Sequence, residues 1–240
     1  VNKLGMRADR IYIRFQATDN HTIENTCLNY KIKRDELKKQ YGFNKYNFIY
    51  VGRLSPEKNL ITLLKAFDNL IKNQEESKDW GLIIVGDGPQ RKELEEFIEK
   101  YNLKSYVFFV GGKSWKDVVE YYALADVFIL PSLSEPWGLV VNEAMVCGLP
   151  VVVSRRAGSY WDLVKEGING FGFDPLNQKE LENIMLKFIM GKVDMKKMGE
   201  ASKEIIKEYT PQNAAMQMLK GIEDILKLKN ESLTFSWILS

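Results

Sequence analysis

Six short apolar segments between residues 48 and 173 constrain the fold of this chain more than any other feature. They are rich in β-branched and aromatic residues, and each of the first five is followed by a turn and then by a segment with helical periodicity. The predicted strands are 48–51, 82–85, 107–110, 127–130, 150–153 and 170–173. Unbroken apolar strands alternating with helices are typical of a parallel sheet covered on both faces. The sequence therefore predicts an α/β, Rossmann-like fold.

Helical periodicity accounts for most of the remaining chain. The predicted helices are 31–41, 59–73, 89–101, 115–123, 139–147, 159–166, 178–190, 193–208 and 211–229. Gly42 is expected to close the first of them, and Thr210 to cap the last, which has Pro211 in its first turn. At the start of the chain we expect the end of a helix (1–6), a strand (10–15) and a polar, turn-rich connector (16–30).

Composition excludes several classes of function. Lys and Arg number 34 against 32 acidic residues, so no overall field recruits nucleic acid or an anionic membrane. The two cysteines, Cys27 and Cys147, have neither disulfide-framework nor zinc-site spacing, and Cys147 is expected in the core. The single histidine, His21, is expected in a solvated loop. No apolar run approaches the ~20 residues of a membrane helix.

Two carboxylates lie where the fourth predicted strand gives way to a helix. Glu135 is in the loop and Glu143 is a turn into the otherwise apolar helix, within the segment 134–150. An ionised carboxylate in an apolar setting is costly unless something pairs with it. A polyhydroxylated ligand held over the helix N-terminus would supply that partner. Alternatively, Glu143 only complements the helix dipole and Glu135 is solvated.

The turn after the first predicted strand carries two cations that could contact a phosphate. Gly52 allows close approach to the backbone, Arg53 can bind a phosphate in bidentate fashion, and Lys58 adds a point charge at the helix start. Parallel sheets bind ligands beyond the carboxyl ends of their strands, so these cations and Glu135 should share one edge. The alternative is that both are solvated surface charges balancing Glu57.

The other turns give weaker signals. Gly86-Asp87-Gly88 is a lone G-x-G whose third glycine is replaced by Arg91, which does not support a nicotinamide site, and no phosphate-loop lysine motif is present. After the third strand, the backbone of Val110 and Gly111 could read a base edge, although capping by Ser114 alone would also explain this turn. Arg155 and Arg156 are expected to pair at the surface or between domains rather than to bind phosphate.

Four motifs taken together resemble one protein family. They are Y-V-G-R-L-S-P-E-K-N (50–59), I-V-G-D-G-P (84–89), A-D-V-F-I-L-P-S (125–132) and S-E-P-W-G-L-V-V-N-E-A-M (134–145). In this order they resemble the C-terminal, donor-binding half of the retaining glycosyltransferases of family 4, the glycosyl transferases group 1, which have the GT-B fold. The resemblance covers residues 47 to about 190 and includes the two glutamates separated by seven residues.

The resemblance implies a role for each matching residue. Arg53 and Lys58 would bind the diphosphate, Glu143 the ribose, and Glu135 the sugar hydroxyls. The backbone N–H groups of Trp137, Gly138 and Leu139 would lie near sugar and phosphate. Gly52, Gly86, Val110 and Gly111 would shape the nucleotide pocket. With Glu135, the two cations would form the catalytic group.

The chemistry that the resemblance implies needs neither a metal nor another cofactor. Fixed cations and a helix N-terminus can stabilise the charge that develops on a leaving diphosphate. The family retains configuration by a same-face displacement in which the leaving phosphate helps to deprotonate the acceptor. Glu135 would then orient the sugar rather than act as a base. The segment 157–162 departs from the family's Gly-Gly and glutamate pattern, so the resemblance assigns no site residue to this loop.

The resemblance also sets expectations for domain organisation. Residues 1–46 would be the end of a preceding acceptor-binding domain with its linker and a connecting helix. Residues 47–210 would form the nucleotide-sugar-binding domain, and 211–240 a helix and apolar tail that pack on the preceding domain. Without that domain, the chain is expected to bind donor weakly and to transfer poorly.

The expected function is hexosyl transfer from a UDP- or GDP-sugar to a saccharide or lipid-linked acceptor, in surface polysaccharide or glycolipid synthesis. The expected location is the cytoplasm, with peripheral association at the inner face of the membrane as a further expectation. Two alternatives stay open: a nucleotide-sugar epimerase of related fold, which the single histidine disfavours, and a non-catalytic donor-binding subunit that needs a separate acceptor chain.

Overall fold

The computed structural model describes residues 16–238, with side-chain environments through residue 227. The described residues divide into two units, one comprising Asn20–Lys207 and the other comprising residues 16–19 and 208–238. The helix and strand predicted at 1–6 and 10–15 lie outside the described residues. The unit that contains the sheet begins at Asn20. The predicted start of the nucleotide-sugar-binding domain at residue 47 stays a prediction.

Six parallel strands form a single sheet, as the sequence predicts. They are β1 (Tyr46–Val51), β2 (Trp80–Val85), β3 (Val107–Gly111), β4 (Val127–Leu130), β5 (Val151–Ser154) and β6 (Gly170–Phe173). Their order is β3-β2-β1-β4-β5-β6, and each neighbouring pair is parallel. Strands β2, β4 and β5 are buried along their whole length, which explains why their sequences are apolar without alternation. The predicted Rossmann-like α/β fold is confirmed.

Ten α-helices accompany the sheet within the described residues. They are α1 (Asn20–Ile32), α2 (Arg34–Tyr41), α3 (Leu60–Asn73), α4 (Arg91–Lys100), α5 (Val118–Leu124), α6 (Leu139–Val146), α7 (Gly158–Leu163), α8 (Gln178–Ile189), α9 (Met195–Ile206) and α10 (Pro211–Ile238). Gly42 ends α2 at φ 70°, and its N–H donates to the carbonyls of Lys38 and Lys39, so its predicted closing role is confirmed. The hydroxyl of Thr210 accepts a hydrogen bond from the N–H of Asn213 at 3.2 Å, which confirms the predicted cap of α10.

Helix α1 corrects the prediction of a turn-rich connector at 16–30. Only Ile23 and Cys27, one helical turn apart, are buried on this helix, and His21 lies on its exposed side rather than in a loop. Because α1 packs against α5 and α6, two apolar side chains are enough to fix it. The periodic signal was too weak to identify the helix, since tertiary packing rather than intrinsic propensity forms it.

Helix α10 extends to Ile238 and so includes most of the apolar tail that the sequence separated from it. The packing of residues 211–240 on a preceding domain stays a prediction. Between residues 16 and 238, no helix is both long and apolar enough to cross a lipid bilayer.

Candidate functional site

The strand order defines where a ligand crevice should form. The chain leaves β1 toward β2 and β3, and then returns to place β4 on the opposite side of β1. At such a switch point the connections diverge, which opens a crevice beyond the carboxyl ends of the two central strands. The turns that follow β1 and β4 carry Arg53, Lys58 and Glu135, and α6 carries Glu143.

Glycines bring the turns after β1 and β2 into direct contact. The N–H of Gly52 donates to the Val85 carbonyl at 3.0 Å. Gly86 has φ +146°, and a Cβ on it would overlap the carbonyl oxygen of Gly52. Gly88 has φ +159°, and its Cβ would overlap the Leu54 carbonyl. The G-x-G pair therefore allows the backbones of these two turns to pack closely.

A cleft of about 360 Å³ lies over these turns. It is lined by the turns after β1, β2 and β3 and by residues of α5 and α6. The lining residues are Val51, Gly52, Arg53, Val85, Gly86, Asp87, Gly112, Lys113, Trp115, Val118 and Glu143. Its volume falls within the range of small-molecule sites in proteins. The cleft thus brings together Gly52, Arg53, Gly86 and Glu143 of the predicted site residues.

Glu143 is held by a tyrosine that the sequence did not single out. The hydroxyl of Tyr122, on the fully buried face of α5, donates to Oε2 of Glu143 at 2.9 Å. Burial raises the pKa of Glu143 above its ordinary value, and the hydrogen bond from Tyr122 opposes that rise. The pKa of Tyr122 is likewise raised, first by burial and then by the charge of Glu143. Glu143 also lines the cleft.

Glu135 is paired with Lys58. The ammonium of Lys58 donates to Oε2 of Glu135, and the two side chains are only 18% and 13% exposed. Glu57, which could have balanced Lys58, instead accepts a hydrogen bond from the Ser55 hydroxyl at 2.5 Å. The prediction that Lys58 and Glu135 meet at one sheet edge is therefore confirmed, and neither side chain is simply solvated.

The start of α6 is fixed by contacts around Glu135. Gly138 caps the helix at φ 92°, and a Cβ there would stand 3.1 Å from Cγ of Glu135. The Trp137 indole N–H donates to Oδ1 of Asn142 at 2.9 Å, and Asn142 is fully buried. The backbone carbonyl of Glu135 accepts from the N–H of Gly158 at 3.0 Å. Glu135 therefore has a defined position at the helix N-terminus, where the dipole favours negative charge.

Tyr50, a buried residue of β1, contacts the turn that carries Arg53. Its hydroxyl donates to the Arg53 carbonyl at 2.8 Å, which fixes the backbone of the turn after β1. Its pKa is raised by burial and then by the nearby negative charge of Glu135. Neither Tyr50 nor Tyr122 could be selected from the sequence, because both are in apolar segments where a tyrosine is expected to be part of the core.

Several predicted site residues lie beside the cleft rather than in its lining. Gly112, Lys113 and Trp115 line it where the sequence selected Val110 and Gly111. The other predicted residues outside the lining are Lys58, Glu135, Trp137, Gly138 and Leu139. Leu139, the first residue of α6, is 41% exposed. The site consists of a cleft around Glu143 and an adjoining ion pair between Lys58 and Glu135.

Of two other turn residues, Arg155 behaves as the sequence indicated and Ser114 does not. Arg155 pairs with Glu180 at 2.6 Å and donates to the Gly172 carbonyl at 3.0 Å, so its predicted surface pairing is confirmed. The hydroxyl of Ser114 accepts from the N–H of Asp117 at 3.3 Å, within the turn that precedes α5. That hydrogen bond caps a turn rather than the helix itself.

Comparison with known proteins identifies the class and then the family. The crystal structure of Anabaena HepE in complex with UDP superimposes with a TM-score of 0.71 and 26% identity, over 93% of this chain and 60% of that one. The described sheet is thus one half of a GT-B glycosyltransferase fold. A family model described as glycosyl transferases group 1 matches residues 33–205. The chain belongs to this family.

Curated relatives agree with the family assignment. An uncharacterized glycosyltransferase of Methanocaldococcus jannaschii is 30% identical over 186 residues, which are 77% of this chain and 50% of that protein. A GDP-mannose-dependent alpha-mannosyltransferase of Corynebacterium glutamicum is 29% identical over 187 residues, or 78% of this chain and 42% of that protein. The chain therefore spans about half the length of these relatives.

Proposed function

We propose that this chain is the nucleotide-sugar-binding domain of a retaining hexosyltransferase. The observation that carries the proposal is that two carboxylates lie at the switch point, each bound by a different residue. Tyr122 binds Glu143 at the cleft, and Lys58 binds Glu135 in the adjoining turn. A nucleotide sugar has hydroxyl groups at both ends and a diphosphate between them. Two carboxylates that accept hydrogen bonds, with cations between them, match this arrangement. The UDP named for the Anabaena structure and the GDP-mannose named for the mannosyltransferase support a UDP- or GDP-sugar donor.

In this proposal the carboxylates recognise hydroxyl groups and the cations stabilise the leaving group. Glu143 accepts hydrogen bonds from the ribose, and Glu135 orients the sugar. The bond between the anomeric carbon and the diphosphate oxygen breaks, and its electron pair leaves with the diphosphate, where Arg53 and Lys58 offset the developing charge. The acceptor oxygen bonds to the anomeric carbon on the same face, and its proton passes to the leaving phosphate.

The remaining expectations belong to the same proposal. We propose transfer without a metal cofactor, since two cations already flank the diphosphate position, and EDTA should leave donor binding unchanged. The acceptor is a saccharide or lipid-linked molecule in surface polysaccharide or glycolipid synthesis, bound by a region beyond this chain. A cytoplasmic location at or near the inner membrane face follows from such an acceptor.

Calorimetry with UDP, GDP, UDP-glucose and GDP-mannose tests the donor site. The variant Arg53→Ala/Lys58→Ala should bind nucleoside diphosphate at least about tenfold more weakly, since each charge-assisted contact is worth about 1.5–3 kcal/mol. Lys65→Gln, which removes an exposed lysine of α3, is the matched control. Undiminished binding by the double variant, or no binding of any of the four ligands at millimolar concentration, would refute the site.

A second variant separates the roles of the two carboxylates. Glu135→Gln should weaken binding of the sugar-bearing donor but not of the free nucleoside diphosphate. Because Lys58 then loses its carboxylate partner, its charge becomes more available, and diphosphate binding should stay equal or become tighter. Equal losses for the donor and the free diphosphate would show that Glu135 does not bind the sugar.

A further inference from the structure

A second cavity lies at the opposite edge of the sheet from the donor cleft. It has a volume of about 450 Å³ and is formed at the amino ends of β4 and β5. Residues of α1, α2 and α9 complete its wall. The lining residues are Lys31, Arg34, Ala125, Asp126, Gly148, Leu149, Pro150, Met195, Lys196, Gly199, Glu200 and Lys203. The proposed transferase chemistry uses none of them.

The cavity carries an excess of positive charge. Lys31, Arg34, Lys196 and Lys203 line it, against the carboxylates of Asp126 and Glu200. Asp126 is already bound by two cations, since Arg34 contacts it at 2.7 Å and the neighbouring Lys38 at 3.3 Å. The negative charge in the cavity wall is therefore more than offset.

Lys31 and Arg34 donate hydrogen bonds to backbone carbonyls, but these bonds only partly explain why the two cations are there. Lys31 donates to the carbonyl of Cys147, at the end of α6, at 2.6 Å, so it has no carboxylate partner there. Arg34 donates to the Ala125 carbonyl at 3.0 Å, yet its Nε is buried without a hydrogen-bond partner. A buried donor left unsatisfied is unfavourable, and an anion in the cavity is one way to satisfy it.

Helix α9 supplies the other two cations, Lys196 from its first turn and Lys203 from its last turn. Lys203 pairs with Glu24 at 2.8 Å, in an ion pair whose side chains are 33% and 48% exposed. Lys196 is exposed in the first turn of α9, where the helix dipole adds positive potential. Exposed ion pairs are weak, so Lys203 can exchange its partner at little cost. Both lysines are thus available to a ligand in the cavity.

We propose that this cavity is a second anion site, which binds the phosphate group of a small phosphorylated molecule or of a lipid headgroup. Phosphate has the charge to engage several cations at once, and Arg34 and the lysines are the side chains that bind it best in proteins. The volume admits a phosphorylated small molecule as well as the phosphate itself. The site does not depend on the proposed donor specificity, because it shares no residue with the donor cleft.

Calorimetry with inorganic pyrophosphate tests this site. The variant Lys196→Gln/Lys203→Gln should weaken one class of pyrophosphate binding by about tenfold, the equivalent of one charge-assisted contact. Lys65→Gln is the control for loss of surface charge. The same binding should persist in Arg53→Ala/Lys58→Ala, which removes the cations of the donor cleft, and UDP binding should persist in Lys196→Gln/Lys203→Gln.

Vesicles distinguish the two sources of phosphate. Sedimentation with phosphatidylcholine vesicles that contain phosphatidic acid, and loss of sedimentation in Lys196→Gln/Lys203→Gln, would assign the site to a lipid headgroup. Pyrophosphate binding without sedimentation would assign it to a soluble phosphate. If pyrophosphate does not bind, binds equally to Lys196→Gln/Lys203→Gln, or loses all binding in Arg53→Ala/Lys58→Ala, the second site does not exist and the cations only cap helix ends.

Discussion

Removal of the Tyr122 hydroxyl tests whether Glu143 is ionised in its buried position. Tyr122→Phe deletes the donor that lies 2.9 Å from Oε2 of Glu143 and leaves the rest of a fully buried side chain in place. A hydrogen bond to a charged group contributes about 1.5–3 kcal/mol, whereas one between neutral groups contributes about 0.5–1.5 kcal/mol. At neutral pH the free energy of unfolding should fall by the larger amount, and Tm by about 3–12 °C.

The pH dependence gives the sharper readout. Burial raises the folded-state pKa of Glu143, so the stability associated with its protonated form is fully present below the unfolded pKa and is lost as pH rises through the folded pKa. The Tyr122 hydrogen bond lowers that folded pKa, and Tyr122→Phe therefore raises it further. The cost of Tyr122→Phe should grow as pH rises and shrink as the carboxyl becomes protonated.

Two matched variants control this experiment. In a Glu143→Gln background, Tyr122→Phe should cost only the neutral amount and show no pH dependence. Tyr50→Phe removes another buried hydroxyl, one that donates to the neutral carbonyl of Arg53 at 2.8 Å, and its cost should be nearly constant with pH. Denaturant unfolding followed by circular dichroism measures all of these. A Tyr122→Phe cost that is the same at every pH, and the same with Gln at position 143, would refute an ionised Glu143.

Three further substitutions test parts of the structure around the site. Gly86→Ala should lower the free energy of unfolding by more than about 3 kcal/mol in a urea titration, because its Cβ would overlap the Gly52 carbonyl; a neutral effect would contradict this close approach. Arg155→Ala should cost about 0.2–1 kcal/mol through its exposed pair with Glu180 and leave UDP affinity in calorimetry unchanged, and weaker UDP binding would place Arg155 in the site. Asp126→Asn should cost about 3–5 kcal/mol in the same titration, since it leaves two cations without a carboxylate, and a cost below 1 kcal/mol would show that water replaces it.

The sequence predicted the sheet well because its strands are determined locally. Each strand is a short apolar run that ends at a glycine, proline or polar turn, and burial on both faces makes the run uninterrupted. The exception was α1, whose sequence is polar along most of its length. Its two buried residues, Ile23 and Cys27, are meaningful only once α5 and α6 are known to cover them. Long-range packing decides that element, and no pattern within residues 16–30 records it.

In the candidate site too, some features could be predicted from the local sequence, whereas others depend on how the strands and helices pack. Glu135 and Lys58 could be placed at one edge from the sequence, because both follow parallel strands whose carboxyl ends meet. Their direct pairing required the strand order, which makes β1 and β4 neighbours although they are far apart in the chain. The observed partners are Phe48 with Val127 and Ile49 with Phe128.

The partner of Glu143 could not be found from sequence spacing. Tyr122 is in a run that includes Val118, Val119 and Leu124, and such a run is fully explained by a core helix. Only the packing of α5 beside α6 turns its hydroxyl toward the carboxylate. A buried carboxylate therefore predicts that some donor exists, but the fold selects which one. Since Tyr122 supplies one hydrogen bond and the carboxylate can accept several, Glu143 keeps acceptor capacity for a ligand while remaining anchored, which is the property that the proposed ribose contact requires.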